Sequence, residues 1–193
     1  MAPVLKGRRV TLRPPIDTDV EVRLALGRDP DIHRMYGGSR SNLRPLTPEG
    51  AKTWFAWVQA HPCAWIIDRA GLIGDIRLDN INGQDRRASL AIGIADPAAI
   101  GQGLGTEAIG LVAAHAFGPM ALHRLTVRVL AFNERAIRAY QKCGFRVEGR
   151  ERESACIDGD WHDDIIMGLL ASEALPATQA RSTDPNPAAG LSQ

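Results

Sequence analysis

A glycine-rich segment stands out as a place for chemistry, Ile100-Gly101-Gln102-Gly103-Leu104-Gly105-Thr106, between a predicted strand and a predicted helix. Glycines let a backbone approach a ligand closely, and the free N–H groups of a first helical turn attract an anion. The segment therefore predicts a phosphate or pyrophosphate site, with a loop whose glycines serve only for turning as the alternative. No Gly-Lys-Ser/Thr sequence follows, which excludes a P-loop. The spacing after the strand also disfavours a dinucleotide fingerprint, although Gly103 to Ala108 fits Gly-x-Gly-x-x-Ala.

A second pair of candidate groups is Asn133 and Tyr140, which lie seven residues apart and so on one face of a predicted helix. A phenol with a pKa near ~10 can donate a proton to a departing thiolate, whose thiol has a pKa of about 8.5. The structural alternatives are a helix cap for Asn133 and core packing for Tyr140.

Two carboxylates, Asp75 and Asp79, alternate with Ile76 and Leu78 along a predicted strand and share one face with Arg77. If that face points into a cleft, either carboxylate could hold a cationic amine or accept its proton. A solvated face of weak Asp–Arg pairs is the alternative.

The elements that must position these groups are strands and helices in mixed order. The strands are predicted over residues 9–13, 64–68, 72–78, 88–95, 124–130, 145–153 and 161–170. The helices are predicted from Asp17 to about Gly27, from Thr47-Pro48-Glu49 onward, from 104 to 117 and from 133 to 142. This order predicts a single α/β (α+β) domain with a mixed central sheet of about seven strands and about four helices, not a strict βαβ repeat.

Composition excludes several classes of protein. Of the 193 residues, 23 are Lys or Arg and 22 are Asp or Glu, a balance of +1 that disfavours a nucleic-acid binder. No stretch approaches the ~20 apolar residues of a membrane span. The three cysteines are widely spaced, and the beginning of the chain lacks an export signal, so we expect reduced thiols in the cytoplasm and no metal site.

Three segments together resemble the GNAT family of acetyl-CoA-dependent N-acetyltransferases, and most closely its RimJ/RimL-type branch. They are Gly101 to Ala108, His123-Arg124-Leu125 and Asn133 to Phe145. Leu12-Arg13-Pro14, Glu148-Gly149 and the segment from Asp158 to Asp163 support the resemblance, which covers roughly residues 5 to 170. It implies that acetyl-CoA lies in a splay between the strand at 88–95 and the strand at 124–130.

The resemblance also implies roles for individual residues. It assigns the coenzyme A pyrophosphate to Gly101, Gln102, Gly103, Leu104, Gly105 and Thr106. The backbone of Ile92-Gly93-Ile94 would pair with the pantetheine arm and offer an N–H group to the thioester oxygen. Asn133 would contact the pantetheine region, and Tyr140 would protonate the leaving thiolate.

The general base departs from the branch's pattern. The branch often carries a glutamate on the strand before the glycine loop, where this chain has Ser89 and Ala91. Asp75 and Asp79 are therefore the first candidate bases, and His33, His162, Asp160 and Asp163 are further candidates.

The acceptor is the least constrained part of the prediction. Asp75, Asp79 and the carboxylates of the terminal hairpin predict an acidic cleft and a small cationic amine, such as an amino sugar of the aminoglycoside antibiotics or a polyamine. The hairpin carboxylates are Asp158, Asp160, Asp163 and Asp164. A protein N-terminus, as in ribosomal-protein acetylation, is the alternative acceptor, and a coenzyme A-binding module without catalysis is the alternative class.

The predicted domain covers residues 1–171, as a monomer or a homodimer. From Ser172 onward the composition changes to Pro, Ala, Thr, Ser and Gln without apolar periodicity, which predicts a flexible tail over residues 172–193.

Overall fold

Eight strands form one sheet in the order β1-β2-β3-β4-β5-β6-β8-β7 in the computed structural model, which describes residues 2–174. The strands are β1 (Leu5–Lys6), β2 (Thr11–Arg13), β3 (Ala64–Asp68), β4 (Leu72–Asn82), β5 (Arg87–Ile94), β6 (Arg124–Leu130), β7 (Arg146–Ile157) and β8 (Asp160–Leu170). The helices are α1 (Asp19–Leu26), α2 (Pro30–Met35), α3 (Pro48–Ala60), α4 (Leu104–Phe117) and α5 (Glu134–Lys142). The predicted mixed α/β fold is confirmed.

The sheet separates two apolar layers, because side chains alternate between its faces. On β3, Trp65 and Ile67 belong to the large core that includes α4, whereas Ala64 and Ile66 pack with Val58 of α3. On β4, Ile76 and Leu78 face the large core. The alternation predicted for β4 is therefore present, with its polar residues on the α3 side.

Two short elements were missing from the sequence prediction, which gave seven strands and four helices. Strand β1 has two residues and helix α2 has six, too few for a periodic pattern to emerge. The start of α2 did carry a signal, since Asp29 accepts the backbone N–H groups of Asp31 and Ile32 and precedes Pro30.

The start of the first helix differs from the prediction of a cap at Asp17. Helix α1 begins at Asp19, whose carboxylate accepts the Ile16 N–H and two N–H groups of Arg13 at 2.8 Å each. Arg13 also bonds Asp68 at the end of β3. The arginine of the Leu12-Arg13-Pro14 motif thus ties β2, β3 and α1 together.

Strands β5 and β6 form the one parallel pair among the described strands, and they separate early. Only Arg87–Ser89 of β5 pairs with Arg124–Thr126 of β6. Beyond Ser89, β5 stays paired with β4 through Ile94, while β6 stays paired with β8 through Leu130. The sheet therefore opens into a splay at the position that the sequence prediction gave.

The predicted C-terminal tail lies largely outside the described residues, which end at 174. At its beginning, the N–H groups of Glu173 and Ala174 both bond the carbonyl of Leu170. The boundary between domain and tail stays a prediction.

Close contact between β4 and β5 gives the first testable prediction. A Cβ atom at Gly74 would lie 1.9 Å from the carbonyl oxygen of Gly93, which backbone cannot accommodate without moving. Gly74→Ala should therefore lower the unfolding free energy by about 1–3 kcal/mol or more, a loss of roughly 2–4 °C in Tm per kcal/mol. Gly149→Ala, in edge strand β7 with open space around its Cβ position, is the control and should change stability by less than about 0.5 kcal/mol. Equal melting temperatures for the two variants would contradict the close contact.

Candidate active site

The glycine-rich loop meets the start of α4 in a left-handed backbone conformation. Gly101 has φ 78° and Gly103, which precedes the first residue of α4, has φ 74°, values that favour glycine. Gly105 lies within the first turn of α4, where an added Cβ atom would meet Ile92 and Ile94 at ordinary contact distance. The loop lines a cavity of about 630 Å³ that extends into the splay.

Residues from the beginning of the chain hold this loop in place. The Arg9 guanidinium donates to the carbonyls of Gln102 at 2.8 Å and Gly103 at 3.3 Å. The Glu107 carboxylate of α4 accepts the N–H groups of Arg8 and Arg9 and the Arg9 side chain. Burial acts to raise the pKa of Glu107, but these bonds outweigh it and lower the pKa. The loop carbonyls are thus occupied, and the N–H groups of the first turn of α4 remain for an anion.

Gln102 differs from the other loop residues predicted to bind the cofactor. Its amide donates to the Ala98 carbonyl at 2.6 Å and accepts from the Arg69 guanidinium, and the residue is not among those lining the cavity. Its side chain therefore stabilises the loop from behind. Gly101, Gly103, Leu104, Gly105 and Thr106 do line the cavity.

The end of β5 presents backbone groups to the splay. The N–H of Ala95 bonds the Ile73 carbonyl of β4, so by strand alternation the N–H groups of Ile94 and Ile92 point the other way, toward the splay. The Ile94 N–H donates to the hydroxyl of Tyr36 at 2.9 Å. Ile92 and Ile94 line the large cavity, while Gly93 lines a second one of about 460 Å³.

Asn133 and Tyr140 both lie on the wall of the large cavity. Asn133 caps α5, because its side-chain oxygen accepts the Ala136 N–H, and its amide nitrogen donates to the Met35 carbonyl. Tyr140 is 6% exposed, with its ring in edge contact with Phe145. Burial raises the pKa of Tyr140, and Tyr36 and Cys143 add to the rise. Asn133 therefore both caps α5 and lies on the cavity wall.

Asp75 lies on the wall of the second cavity together with Gly93, Tyr36 and Trp54. Its carboxylate accepts the indole N–H of Trp54 at 3.3 Å and lies 3.9 Å from the Arg77 guanidinium, with 19% of the side chain exposed. Burial raises the pKa of Asp75, and the Trp54 bond and the nearby arginines offset this only in part. A carboxylate with a raised pKa in a cleft is suited to accepting a proton.

Asp79 lies elsewhere, although it shares the strand face. Its carboxylate bonds the His61 imidazole at 3.1 Å and the Arg77 guanidinium at 2.8 Å, and it is not among the residues lining either cavity. The structure therefore separates the two carboxylates that the sequence treated alike.

The predicted acidic cleft is not present. Of the hairpin carboxylates, Asp163 bonds Arg150 and the Glu153 N–H, whereas Asp164 alone lines the large cavity and pairs with Arg128. Basic side chains outnumber acidic ones on the two cavity walls. They are Arg23, Arg28, Arg77, Arg128, Arg135, Arg138 and Lys142, against Asp29, Asp75 and Asp164.

Tyr36 is the site residue that the sequence analysis missed. It follows the short helix α2, lines both cavities and is 56% exposed, with its hydroxyl bonded to the Ile94 N–H. The chain contains two tyrosines in all, and both are on the wall of the large cavity. That scarcity was a signal in the composition.

The large cavity fits a long, polyanionic cofactor. Its size lies within the range of small-molecule sites, with the helix N-terminus of α4 at its glycine loop and Arg135, Arg138 and Lys142 of α5 on its wall. Within residues 2–174, no three His, Cys, Asp or Glu side chains come together as a potential metal site. In the same range, no helix has the length and apolar content needed to cross a bilayer.

Comparisons with known proteins agree with this architecture. The family model described as an acetyltransferase (GNAT) domain matches residues 9–146. The probable N-acetyltransferase YjcK of Bacillus subtilis is 28% identical over 176 residues, covering 86% of this chain and 97% of the relative. The spermidine N(1)-acetyltransferase of Escherichia coli K12 is 35% identical over 108 residues, 56% of each chain.

A solved structure gives the same result for the fold. The spermidine N-acetyltransferase of Vibrio cholerae, in complex with CoA and spermine, has a TM-score of 0.72, with 23% identity over 86% of this chain and 98% of that one. At this identity the likeness concerns the fold. Because the family model covers more than half of the chain, the chain belongs to the GNAT family and is an acetyl-CoA-dependent N-acetyltransferase.

Proposed function

We propose that the chain transfers the acetyl group directly to a primary amine of a polyamine, in a ternary complex, with Asp75 as the residue that receives the amine. The observation that carries the amine site is the Asp75 carboxylate at the wall of the second cavity, beside Gly93 of β5. The names of the spermidine acetyltransferase relatives support a polyamine as the acceptor.

The chain's residues divide the work between the two cavities. Acetyl-CoA supplies an activated thioester when it is bound. The loop from Gly101 to Thr106 and the start of α4 would hold its pyrophosphate, and the splay would receive the arm along Ile92 and Ile94. Asp75 would take the proton of the ammonium group, and the Tyr140 hydroxyl would give a proton to the departing sulfur. Burial, which raises the pKa of Tyr140, keeps this phenol protonated until the thiolate forms.

A second acceptor class is favoured by Arg23. Its guanidinium lies over the Trp54 ring and donates to the Gly27 carbonyl, and it has no carboxylate within ion-pair distance among the residues described. Burial lowers the pKa of Arg23. A guanidinium in this setting could bind the carboxylate or carbonyl of an acceptor, such as a protein N-terminus. The amino sugars of aminoglycosides carry neither a carboxylate nor a carbonyl group, so Arg23 does not favour them as acceptors.

A pair of acceptors that differ only in charge distinguishes these two classes. 1,4-Diaminobutane and 4-aminobutanoate share the amine and the chain length but end in an ammonium and a carboxylate, respectively. We expect kcat/KM for the diamine to exceed that for the amino acid at least tenfold, with spermidine better still, measured by thiol release. A preference for 4-aminobutanoate and for a free peptide N-terminus would establish the second class instead, and a preference for an aminoglycoside would reject both.

Removal of the Tyr140 hydroxyl should slow the chemical step without weakening cofactor binding. Tyr140→Phe keeps the ring and its contact with Phe145. We expect kcat to fall by about 10²- to 10⁴-fold, with the acetyl-CoA dissociation constant from calorimetry within threefold of wild type. If kcat stays within threefold, Tyr140 only packs and water protonates the thiolate.

The two aspartates of β4 provide a matched test of the base. Asp75→Asn should raise the acceptor KM and lower kcat/KM at least tenfold, and it should remove the decrease in rate that wild type shows as pH falls through the pKa of Asp75. Asp79→Asn, two residues along the same face and engaged with His61 and Arg77, should leave both constants within threefold. Equal effects of the two variants would remove Asp75 from its proposed role.

Asp75→Asn should also increase the stability of the folded chain. Because the folded-state pKa of Asp75 is raised, the folded chain binds the proton more tightly than the unfolded chain, and stability falls as pH rises through that pKa. Asp75→Asn has no such proton and should melt at a higher temperature than wild type at neutral pH, with the difference shrinking toward acid. A lower Tm at neutral pH would contradict the burial argument.

A further inference from the structure

The hydroxyl of Tyr36 occupies one of the two backbone N–H groups that the end of β5 presents to the splay, that of Ile94. Its oxygen accepts the Ile94 N–H at 2.9 Å, and Tyr36 lines both the large cavity and the second cavity. Tyr36 therefore lies where the two cavities adjoin, together with Ile92 and Ile94, which also line both. In the resemblance to the family, the backbone of this strand was expected to meet the thioester oxygen directly.

The position of Tyr36 is fixed by its own segment. The side-chain amide of Asn133 donates to the Met35 carbonyl at 3.2 Å, directly before Tyr36. The His33 carbonyl accepts the N–H groups of Tyr36 and Gly38. A Cβ at Gly38 would lie 2.1 Å from the His33 ring, which would have to move to make room for it. Hydrogen bonds thus hold the backbone on both sides of Tyr36.

Two other functional groups surround this hydroxyl. Tyr36 and Asp75 each have an oxygen within 4 Å of the point where a Gly93 side chain would begin. Tyr140 is close enough that Tyr36 contributes to the raised pKa of its phenol. The hydroxyl therefore lies among the group proposed to receive the amine proton, the group proposed to protonate the sulfur, and the end of β5.

The Tyr36 hydroxyl is a donor at neutral pH. Burial raises its pKa to about 12, and the bond from the Ile94 N–H opposes this rise only in part. Since its oxygen already accepts one hydrogen bond from Ile94, its own hydrogen is available to another acceptor. The hydrogen bond that the Tyr36 oxygen accepts from Ile94 also polarises the O–H group, as happens in hydrogen-bonded chains in a medium of low polarity.

We propose that the Tyr36 hydroxyl is a catalytic residue that stabilises the acetyl oxygen during transfer, in place of a direct bond from the Ile94 N–H. This rests on the acetyl transfer to an amine proposed above. The amine nitrogen bonds to the carbonyl carbon, and the π electrons move to the oxygen, which accepts the Tyr36 hydrogen bond without taking the proton. The oxygen then re-forms the carbonyl as the C–S bond breaks. Asp75 accepts one ammonium proton before the attack, and the second nitrogen proton leaves by the same route to solvent after the C–N bond has formed. The sulfur takes a proton from Tyr140, and solvent returns a proton to the phenolate.

Tyr36→Phe tests the proposal because it keeps the ring between the cavities and removes only the hydroxyl. Loss of one such donor lowers kcat by about 10²- to 10³-fold. We expect a decrease of that size, with the KM of the acceptor and the dissociation constant of acetyl-CoA within threefold of wild type. If Tyr36 instead only blocks the Ile94 N–H, the variant frees that group for the thioester and kcat stays the same or rises, which would overturn the proposal.

A spectroscopic measurement separates this role from a structural one. The carbonyl stretching band of acetyl-CoA labelled with ¹³C in the acetyl group moves to lower frequency when the oxygen accepts a hydrogen bond. We expect the bound band in wild type to lie below that of free acetyl-CoA and to return toward the free position in Tyr36→Phe. Tyr140→Phe, which acts on the sulfur, should keep the wild-type band although its kcat falls. A band that is identical in wild type and Tyr36→Phe would overturn the proposal.

These outcomes remain distinct from failure of the proposed acceptor. The band requires only acetyl-CoA and the protein, so it reports on Tyr36 whichever amine is used. Should none of the polyamines be acetylated while another amine is, the acceptor proposal fails, and Tyr36→Phe is then assayed with that amine. If Tyr36→Phe loses the band shift but acetylates polyamines at the wild-type rate, the catalytic role of Tyr36 is rejected and the acceptor proposal stands.

Discussion

The early separation of β5 from β6 is the constraint on which the rest of the site depends. Once the two strands part after Ser89, one edge of β5 loses its sheet partner, and backbone N–H and C=O groups near a core require other partners. The Tyr36 hydroxyl meets this requirement at Ile94. A ligand with amide groups would meet it along the rest of the edge. A gap in the sheet is thus both the proposed cofactor site and the place where the segment after α2 bonds to the strand.

Three separate elements bring the proposed reacting groups to the two cavities. Asp75 comes from β4, Tyr36 from the turn after α2, and Tyr140 from α5. Asn133 connects two of them, since it begins α5 and bonds the backbone next to Tyr36. Groups held by such supporting bonds keep a fixed geometry, which is what transition-state stabilisation requires.

The sequence predicted the features of this site that depend on spacing within one element, but not those that depend on contacts between distant segments. The glycine loop and the pair Asn133 and Tyr140 were predictable because their spacing within one helix turn or two places them together. Strand alternation put Asp75 and Asp79 on one face correctly, but it cannot tell which end of a strand a cavity reaches. That depends on where α3 crosses β4, where Trp54 meets Asp75 and His61 meets Asp79. Tyr36 follows a helix too short to show periodicity. In the hairpin, Asp164 pairs with Arg128 and Asp163 with Arg150, contacts that the sequence pattern does not reveal.

The contact of Arg8 and Arg9 with Glu107 couples the beginning of the chain to the glycine loop. Neither arginine lines the cavity, yet the two contribute the bonds that fix the loop's carbonyls and the first turn of α4. A ligand that stabilises the loop by binding to it also stabilises the N-terminal segment, since the two are joined by these hydrogen bonds. Amide hydrogen exchange at residues 7–10 would thus report ligand binding in a cavity that these residues do not line. Proteolytic removal of the same residues would weaken that binding.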